Sequence, residues 1–324
     1  MLAAWYERNG PAAEVLQVGK MEPTEPGPGE IRIRLHASGL NPSDVKSRAG
    51  TTRKIAHPRV VPNSDGAGVV EKVGPDVARF APGQRVWCFN GQWARAFGTS
   101  AQSITLPAAQ VARLPEGFDF AQGACLGIPV MTAHRCLFAD GPISGQQVLV
   151  TGGAGVVGHY AVQLAKWAGA KVIATVSSDA KAEHARKAGA DRIVNDRTER
   201  VAERVKALGG VDRVVDVDLG ANLADSLAVL RPNGVLAGYA SMGKPVLELP
   251  FYGHLALNVT LRVVLVYTMP DDAKAAAVAD IERWAKAGRP QFAIARRFPL
   301  AEAVAAHEFV ERGDKIGHVV LDIS

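Results

Sequence analysis

The sequence predicts an α/β protein of two domains, a β-rich barrel or sandwich joined to a doubly wound parallel sheet. Three observations carry this expectation. A strand–helix–strand unit opens at Val148 with a cluster of glycines at its first turn. Strand and helix patterns alternate from about residue 124 to residue 267, whereas residues 1–123 show short strands, Pro/Gly turns and little helix. At 324 residues the chain is also too long for one ordinary core.

The unit at Val148 is the most informative stretch. Val148, Leu149, Val150 and Thr151 form the short, apolar, β-branched run that a strand buried on both faces requires. Gly152, Gly153, Gly155 and Gly158 follow at once. Residues Tyr160 to Ala168 then read as a helix with Ala161, Leu164, Ala165 and Ala168 on one face, and Val172 to Val176 close the unit as a second buried strand. Gly153, Gly155 and Gly158 spell GxGxxG where strand becomes helix. The first glycine permits a tight turn, the second lets backbone N–H groups approach a diphosphate, and the third lets the helix pack close to the strand. The helix N-terminus adds unpaired donors and a partial positive charge. A lone GxGxxG is weak evidence, but in this setting it predicts a dinucleotide-binding turn.

The remaining elements follow in chain order. Ile31, Ile33 and Leu35 alternate as in a half-buried strand, preceded by the turn PGPGE; Gly68 to Val73 read as another strand, and Ala81 to Gln84 as a turn entering a third. Beyond the glycine unit come a helix over Ala180 to Ala188, a strand over Arg192 to Asn195, a helix over Glu199 to Leu208, a strand over Arg213 to Val217 and a helix over Leu223 to Leu230. Strands at Val235 to Ala240 and Thr260 to Tyr267 complete a doubly wound sheet with expected order 3-2-1-4-5-6. The tail reads as a helix over Asp272 to Ala287, a second over Ala301 to Arg312 and a last strand over His318 to Ile323 that rejoins the first domain. The first domain is therefore expected at 1–123 and 268–324, and the second at 124–267.

Composition narrows the class. Hydrophobic content of 48% and charged content of 21% describe a globular protein, and the net charge of +5 is scattered, without the aromatic-basic array of a nucleic-acid face. No run is long or apolar enough to span a bilayer, and the N-terminus lacks signal-peptide features, so a cytoplasmic enzyme is expected. Cys88, Cys125 and Cys136 are far apart, with no CxxC pair, and read as small buried hydrophobes rather than a disulfide framework or zinc site.

Several phrases, in this order, identify a wider pattern: GLNPSDVKSRAG (39–50), SDGAGVVEKVG (64–74), APGQRVW (81–87), LGIPVMTAHRCL (126–137), VLVTGGAGVVG (148–158) and ERGDKIGHVVL (311–321). Together they resemble the medium-chain dehydrogenase/reductase superfamily, and within it the zinc-independent quinone oxidoreductases related to zeta-crystallin, over nearly the whole chain. The resemblance implies a GroES-like β-barrel catalytic domain and a Rossmann cofactor domain. Zinc alcohol dehydrogenases of this superfamily carry a Cys where this chain has Asn41, a His-Glu pair where it has Ser64 and Asp65, and a lobe of four closely spaced cysteines that is missing here. The resemblance thus implies no metal site and no Lewis acid polarising the substrate.

The same resemblance implies the cofactor and its contacts. NAD enzymes end the second strand on Asp or Glu, whereas this chain has Val176, followed by Ser177 and Lys181, a small residue and a lysine as in NADPH-binding members. NADPH is therefore expected, with Asp196 as the opposing feature unless it pairs with Arg197. Ser178 and Asp179 have helix capping as their other reading. The diphosphate falls to the backbone of Ala154, Gly155, Val156 and Val157, the ribose to Asn222, further cofactor contacts to Ala240 and Ser241 after the fifth strand, and the nicotinamide carboxamide to Val264, Leu265 and Val266. Thr132 stands beside the nicotinamide or is an ordinary threonine at a helix start.

For the substrate, the resemblance points to Asn41, whose amide meets either cofactor or a carbonyl oxygen as charge develops on it. Asp44 reads as a helix cap. Relatives often show Tyr where this chain has Lys46 and Thr52, which removes stacking surface and adds a cation, opening the pocket to another carbonyl acceptor or an acidic substrate. Arg48 reads as an anion contact or a solvated surface arginine. The expected reaction is hydride transfer from NADPH to a quinone or α,β-unsaturated carbonyl. Two alternatives stand beside it: an enoyl-thioester reductase of the same superfamily, lowered by the absence of Tyr after Gly50, and a nucleotide-binding sensor without turnover. The apolar run from Thr260 to Tyr267, left as a sheet edge, predicts a homodimer.

Overall fold

The structure is a computed structural model that describes residues 1–288, 290–313 and 315–323. It divides into two compact units, Met1–Ile128 with Phe292–Ser324, and Pro129–Gln291. Among the described residues no helix is long and apolar enough to cross a membrane. Asp314, within the ERGDKIGHVVL phrase, lies outside the described residues.

The first unit is built on the long strand Glu30–Leu40, which pairs antiparallel with Asp65–Val73, Ser103–Pro107 and His318–Asp322. Alternation does its expected work: Ile31, Ile33 and Leu35 are buried, as are Val86, Leu106, Val319 and Leu321 in the same core. The returning strand His318–Asp322 also pairs parallel with Ile294–Pro299, so the C-terminal segment completes a sheet begun at the N-terminus.

The second unit holds six parallel strands in the order Arg192–Asn195, Lys171–Val176, Gln147–Val150, Val211–Asp216, Leu230–Gly238, Thr260–Val263, which is the expected 3-2-1-4-5-6. Leu149, Ile173, Val214 and Leu236 form its core. Two differences from the sequence expectation concern its ends. The last strand stops at Val263, and Val266–Thr268 turn instead into a short 3₁₀ segment. The helix Asp271–Gly288 belongs to this unit, which runs to Gln291 rather than to residue 267. The cause is its apolar stripe: Ala277, Ile281 and Trp284 are buried, with the Trp284 ring edge-on to Tyr160 at 6.2 Å. His134 Nε2 and Asp280 Oδ2, 2.8 Å apart, add a polar tie to the same helix.

Candidate functional site

In the second unit, Gly152 adopts φ +63°, a left-handed conformation that suits glycine, and its N–H donates to Thr175 Oγ1 at 3.0 Å. A Cβ on Gly153 would sit 2.7 Å from that of Ala174, and one on Gly158 would run into the Gly152 carbonyl oxygen. Glycine is thus required for packing at both positions. Gly155 caps the helix Val156–Trp167, and no side chain caps it in turn. Gly155 is exposed and Val156 and Val157 half-buried, while Ala154 is buried. A twelve-residue helix therefore presents the N–H groups of its first turn on an open face without a side-chain acceptor. Such a terminus fits a diphosphate.

Behind the turn lies Asp216, fully buried at the end of its strand. Its Oδ1 accepts from Thr151 Oγ1 (3.2 Å), Asp218 N–H (2.9 Å) and Asn222 Nδ2 (2.9 Å), and its Oδ2 accepts from Ser226 Oγ (2.8 Å). Thr151 Oγ1 in turn accepts from Val217 N–H at 2.9 Å. Asn222 is thus joined to the glycine turn through one carboxylate. Sequence reasoning missed Asp216; the available signal was an acid directly after the apolar pair Val214 and Val215 at a strand end.

Ser177 and Lys181 are brought together, Lys181 Nζ donating to Ser177 Oγ at 2.9 Å. Ser178 caps the helix Asp179–Lys187 by accepting from Lys181 N–H, which settles its role as a cap. Asp196 lies close enough for the Lys181 charge to act on its carboxyl; burial raises that carboxyl, while Arg197 and then Lys181 oppose the rise. Arg197 Nε stands 4.0 Å from Asp196 Oδ1, the outer edge of an ion pair.

At the carboxyl end of the fifth strand, Ala240 O accepts from Leu219 N–H at 2.9 Å, and Ser241 Oγ accepts from Gly220 N–H at 3.0 Å while donating to Lys244 O. Val264 and Val266 are buried and Leu265 is half exposed, with Val264 N–H donating to Gly238 O. Thr132 is buried on the second turn of the helix Ile128–Phe138, not at a helix start.

In the first unit, Asn41 is the N-cap of the helix Pro42–Ala49 and is 4% exposed. Its backbone N–H donates to Asp44 Oδ2 at 2.8 Å, and its Nδ2 donates to Asp65 Oδ2 at 2.7 Å. Asp65 also accepts from Ile128 N–H, at 2.9 and 3.0 Å. Burial pushes the Asp44 carboxyl up to about 7 and that of Asp65 well above the ordinary range, the Asp44 charge adding to the second rise. One amide hydrogen of Asn41 is committed to Asp65, so the side chain is fixed in orientation. Lys46 lies half-buried on this helix and Thr52 is exposed in the loop beyond it. Arg48 fits neither of its sequence readings: it is fully buried and ion-paired with Glu311, a partner 263 residues away.

Two family models match the chain, an alcohol dehydrogenase GroES-like domain over residues 27–116 and a zinc-binding dehydrogenase over 156–283. A quinone oxidoreductase of Pseudomonas aeruginosa is 34% identical over 95% of each chain. A 2-haloacrylate reductase of a Burkholderia species is 33% identical over 99% of this chain and 98% of its own. Among solved structures, the Escherichia coli quinone oxidoreductase complexed with NADPH superposes with a TM-score of 0.87 at 27% identity, covering 99% of this chain and all of that one. With this glycine turn, sheet order and returning tail, the chain belongs to the quinone oxidoreductase family of the medium-chain dehydrogenase/reductase superfamily.

Proposed function

We propose that the protein is an NADPH-dependent, zinc-independent reductase that transfers hydride to a quinone or α,β-unsaturated carbonyl. The observation that carries the cofactor choice is the Lys181–Ser177 hydrogen bond at the end of the second strand, a cation and a hydroxyl in place of the acid that would receive a 2′-hydroxyl. The uncapped helix at Gly155 supports a diphosphate in the same unit. Bound there, NADPH supplies the hydride from its reduced ring. The chain's own task is positioning and charge placement. Ser177 and Lys181 hold the 2′-phosphate, the backbone of Gly153 to Gly158 the diphosphate and Asn222 the ribose, with Ala240 and Ser241 as further cofactor contacts after the fifth strand. Thr132, Val264, Leu265 and Val266 orient the nicotinamide, with Lys46 and Thr52 toward the substrate. Asn41 sets its amide toward the carbonyl oxygen, in an orientation held by Asp65 and Asp44. An amide that donates to Asp65 does not supply the thiolate of a zinc site, which supports metal independence.

We place the enzyme in the cytoplasm, in keeping with three free, buried cysteines, and infer a homodimer. The support for a dimer is the edge strand Thr260–Val263, with Val263 exposed, beside exposed Phe251, Tyr252 and Leu255. Titration with NADPH and NADH separately, followed by 9,10-phenanthrenequinone, enones and enals as acceptors, tests the function. Tighter NADPH binding with turnover is expected; tight binding without turnover on any acceptor would replace the enzyme with a nucleotide sensor.

A further inference from the structure

The buried carboxylate of Asp216 has no counter-charge: no Lys or Arg forms an ion pair with it among the described residues. Neutral groups hold it instead, Thr151 Oγ1, Asp218 N–H and Asn222 Nδ2 on Oδ1 and Ser226 Oγ on Oδ2. They come from three segments: the residue after the strand Gln147–Val150, the loop after Val211–Asp216, and the helix Leu219–Val229. A buried negative charge behind a turn that receives a diphosphate opposes that anion. Its presence calls for a reason other than charge, and the hydrogen bonds give one.

An ionised carboxylate only accepts, so Asp216 decides which end of the Asn222 amide faces it. Nδ2 turns inward at 2.9 Å, and Oδ1 is left over. Asn222 is half-buried; its Oδ1 accepts no hydrogen bond among the described residues and is not enclosed by protein. One turn later Ser226 ties the same helix to the same carboxylate, which fixes the backbone under that oxygen. Sheet order says which half of a dinucleotide the oxygen meets. Ser177 and Lys181 follow the strand Lys171–Val176 on one side of the central strand Gln147–Val150, and Asp216 ends the strand on its other side. With the diphosphate at the turn between them and the 2′-phosphate at Lys181, the nicotinamide half falls on the Asp216 side.

We propose that Asp216 is a positioning residue that holds Asn222 Oδ1 as the acceptor for a hydroxyl of the nicotinamide ribose. The proposal rests on the NADPH reading above and adds which ribose is met, the donor role of its hydroxyl and the carboxylate behind the contact. A free, fixed acceptor recognises a donor, so this half of the site distinguishes ribose from deoxyribose.

Calorimetric titration of the purified protein with NADPH and with adenosine 2′,5′-bisphosphate tests this, since the bisphosphate carries the 2′-phosphate but no nicotinamide ribose. Asn222→Ala and Asp216→Asn should each weaken NADPH about 3- to 10-fold, the size of one hydrogen bond between neutral groups, and leave the bisphosphate within about twofold. The double variant should bind NADPH no more weakly than the worse single one, because Asp216 acts through Asn222. A purely electrostatic Asp216 would tighten both ligands when neutralised, and a purely structural one would weaken both alike; either result overturns the proposal, as does an unchanged NADPH constant in Asn222→Ala. If Asp216→Asn fails to fold, NMR of the isotopically labelled native protein reads the hold directly. One Asn222 side-chain amide proton should exchange slowly before any nucleotide is added, and exchange as fast as that of a surface amide sinks the assignment. Binding of neither ligand by the native protein would end the NADPH reading and this proposal with it, whereas native binding of both with no loss in the variants ends the proposal alone.

Discussion

Replacing Lys181 by Ala tests the cofactor assignment most directly. Lys181 Nζ already donates to Ser177 Oγ at 2.9 Å, so the pair is organised before any phosphate arrives. A hydrogen bond to a charged group contributes about 1.5–3 kcal/mol, and solvent around a half-buried lysine trims this to about 1–2 kcal/mol. At about 1.4 kcal/mol per tenfold, NADPH should bind about 5- to 30-fold more weakly to Lys181→Ala, while NADH, lacking the phosphate, should be nearly unaffected. Fluorescence titration of each reduced nucleotide measures both constants. Asp196 supplies an internal control, since it is the carboxylate on which the Lys181 charge acts. Asp196→Asn should tighten NADPH and leave NADH alone, and the double variant should show non-additivity because the two groups are coupled. Equal losses of NADPH and NADH in Lys181→Ala would refute a 2′-phosphate role and leave Lys181 as a structural contact.

Three further outcomes follow from the packing. Burial holds the Asp44 carboxyl up to about 7, so the folded chain keeps a proton that the unfolded chain releases in the ordinary carboxylate range; stability present below that range is lost as pH climbs toward about 7. The loss reaches up to about 4 kcal/mol at about 1.4 kcal/mol per pKa unit, and Asp44→Asn should flatten it in urea midpoints between about pH 4 and pH 7, an unchanged slope sinking the idea. Trp284→Ala should cost about 3–5 kcal/mol in denaturant unfolding, because Trp284 is 2% exposed against Tyr160; a change under about 1 kcal/mol would detach the helix Asp271–Gly288 from the core of its unit. Val263→Lys places a charge where the edge strand is 75% exposed, and should turn a micromolar dimer into a monomer by sedimentation equilibrium, whereas a native monomer would end the edge-pairing argument.

The glycine turn and the order of the parallel sheet were legible because both are written in local pattern. Val148 to Thr151 announce a buried strand, and each later strand follows a helix of its own. The placement of the helix Asp271–Gly288 was not legible. Ala277, Ile281 and Trp284 declare that one face is covered, but periodicity does not say which neighbour covers it. The run from Thr260 to Tyr267 is apolar throughout, yet pairing ends at Val263 and the chain tightens before Pro270, a change of backbone path that hydrophobicity alone does not encode. In the site, Ser177 and Lys181 were readable because they are four residues apart on one turn. The Asn41–Asp65 hydrogen bond and the Arg48–Glu311 pair were not, since each depends on segments distant in sequence meeting in the folded unit.

The three cysteines carry a consequence for an enzyme that meets electrophiles. Quinones and enals arylate or alkylate thiolates, and a reductase exposed to them would be poisoned by any accessible, easily ionised thiol. Cys88, Cys125 and Cys136 are each wholly enclosed, and burial drives every one of their thiols upward, that of Cys136 to about 12. The polypeptide thereby offers its acceptors no thiol to trap them while it stays folded.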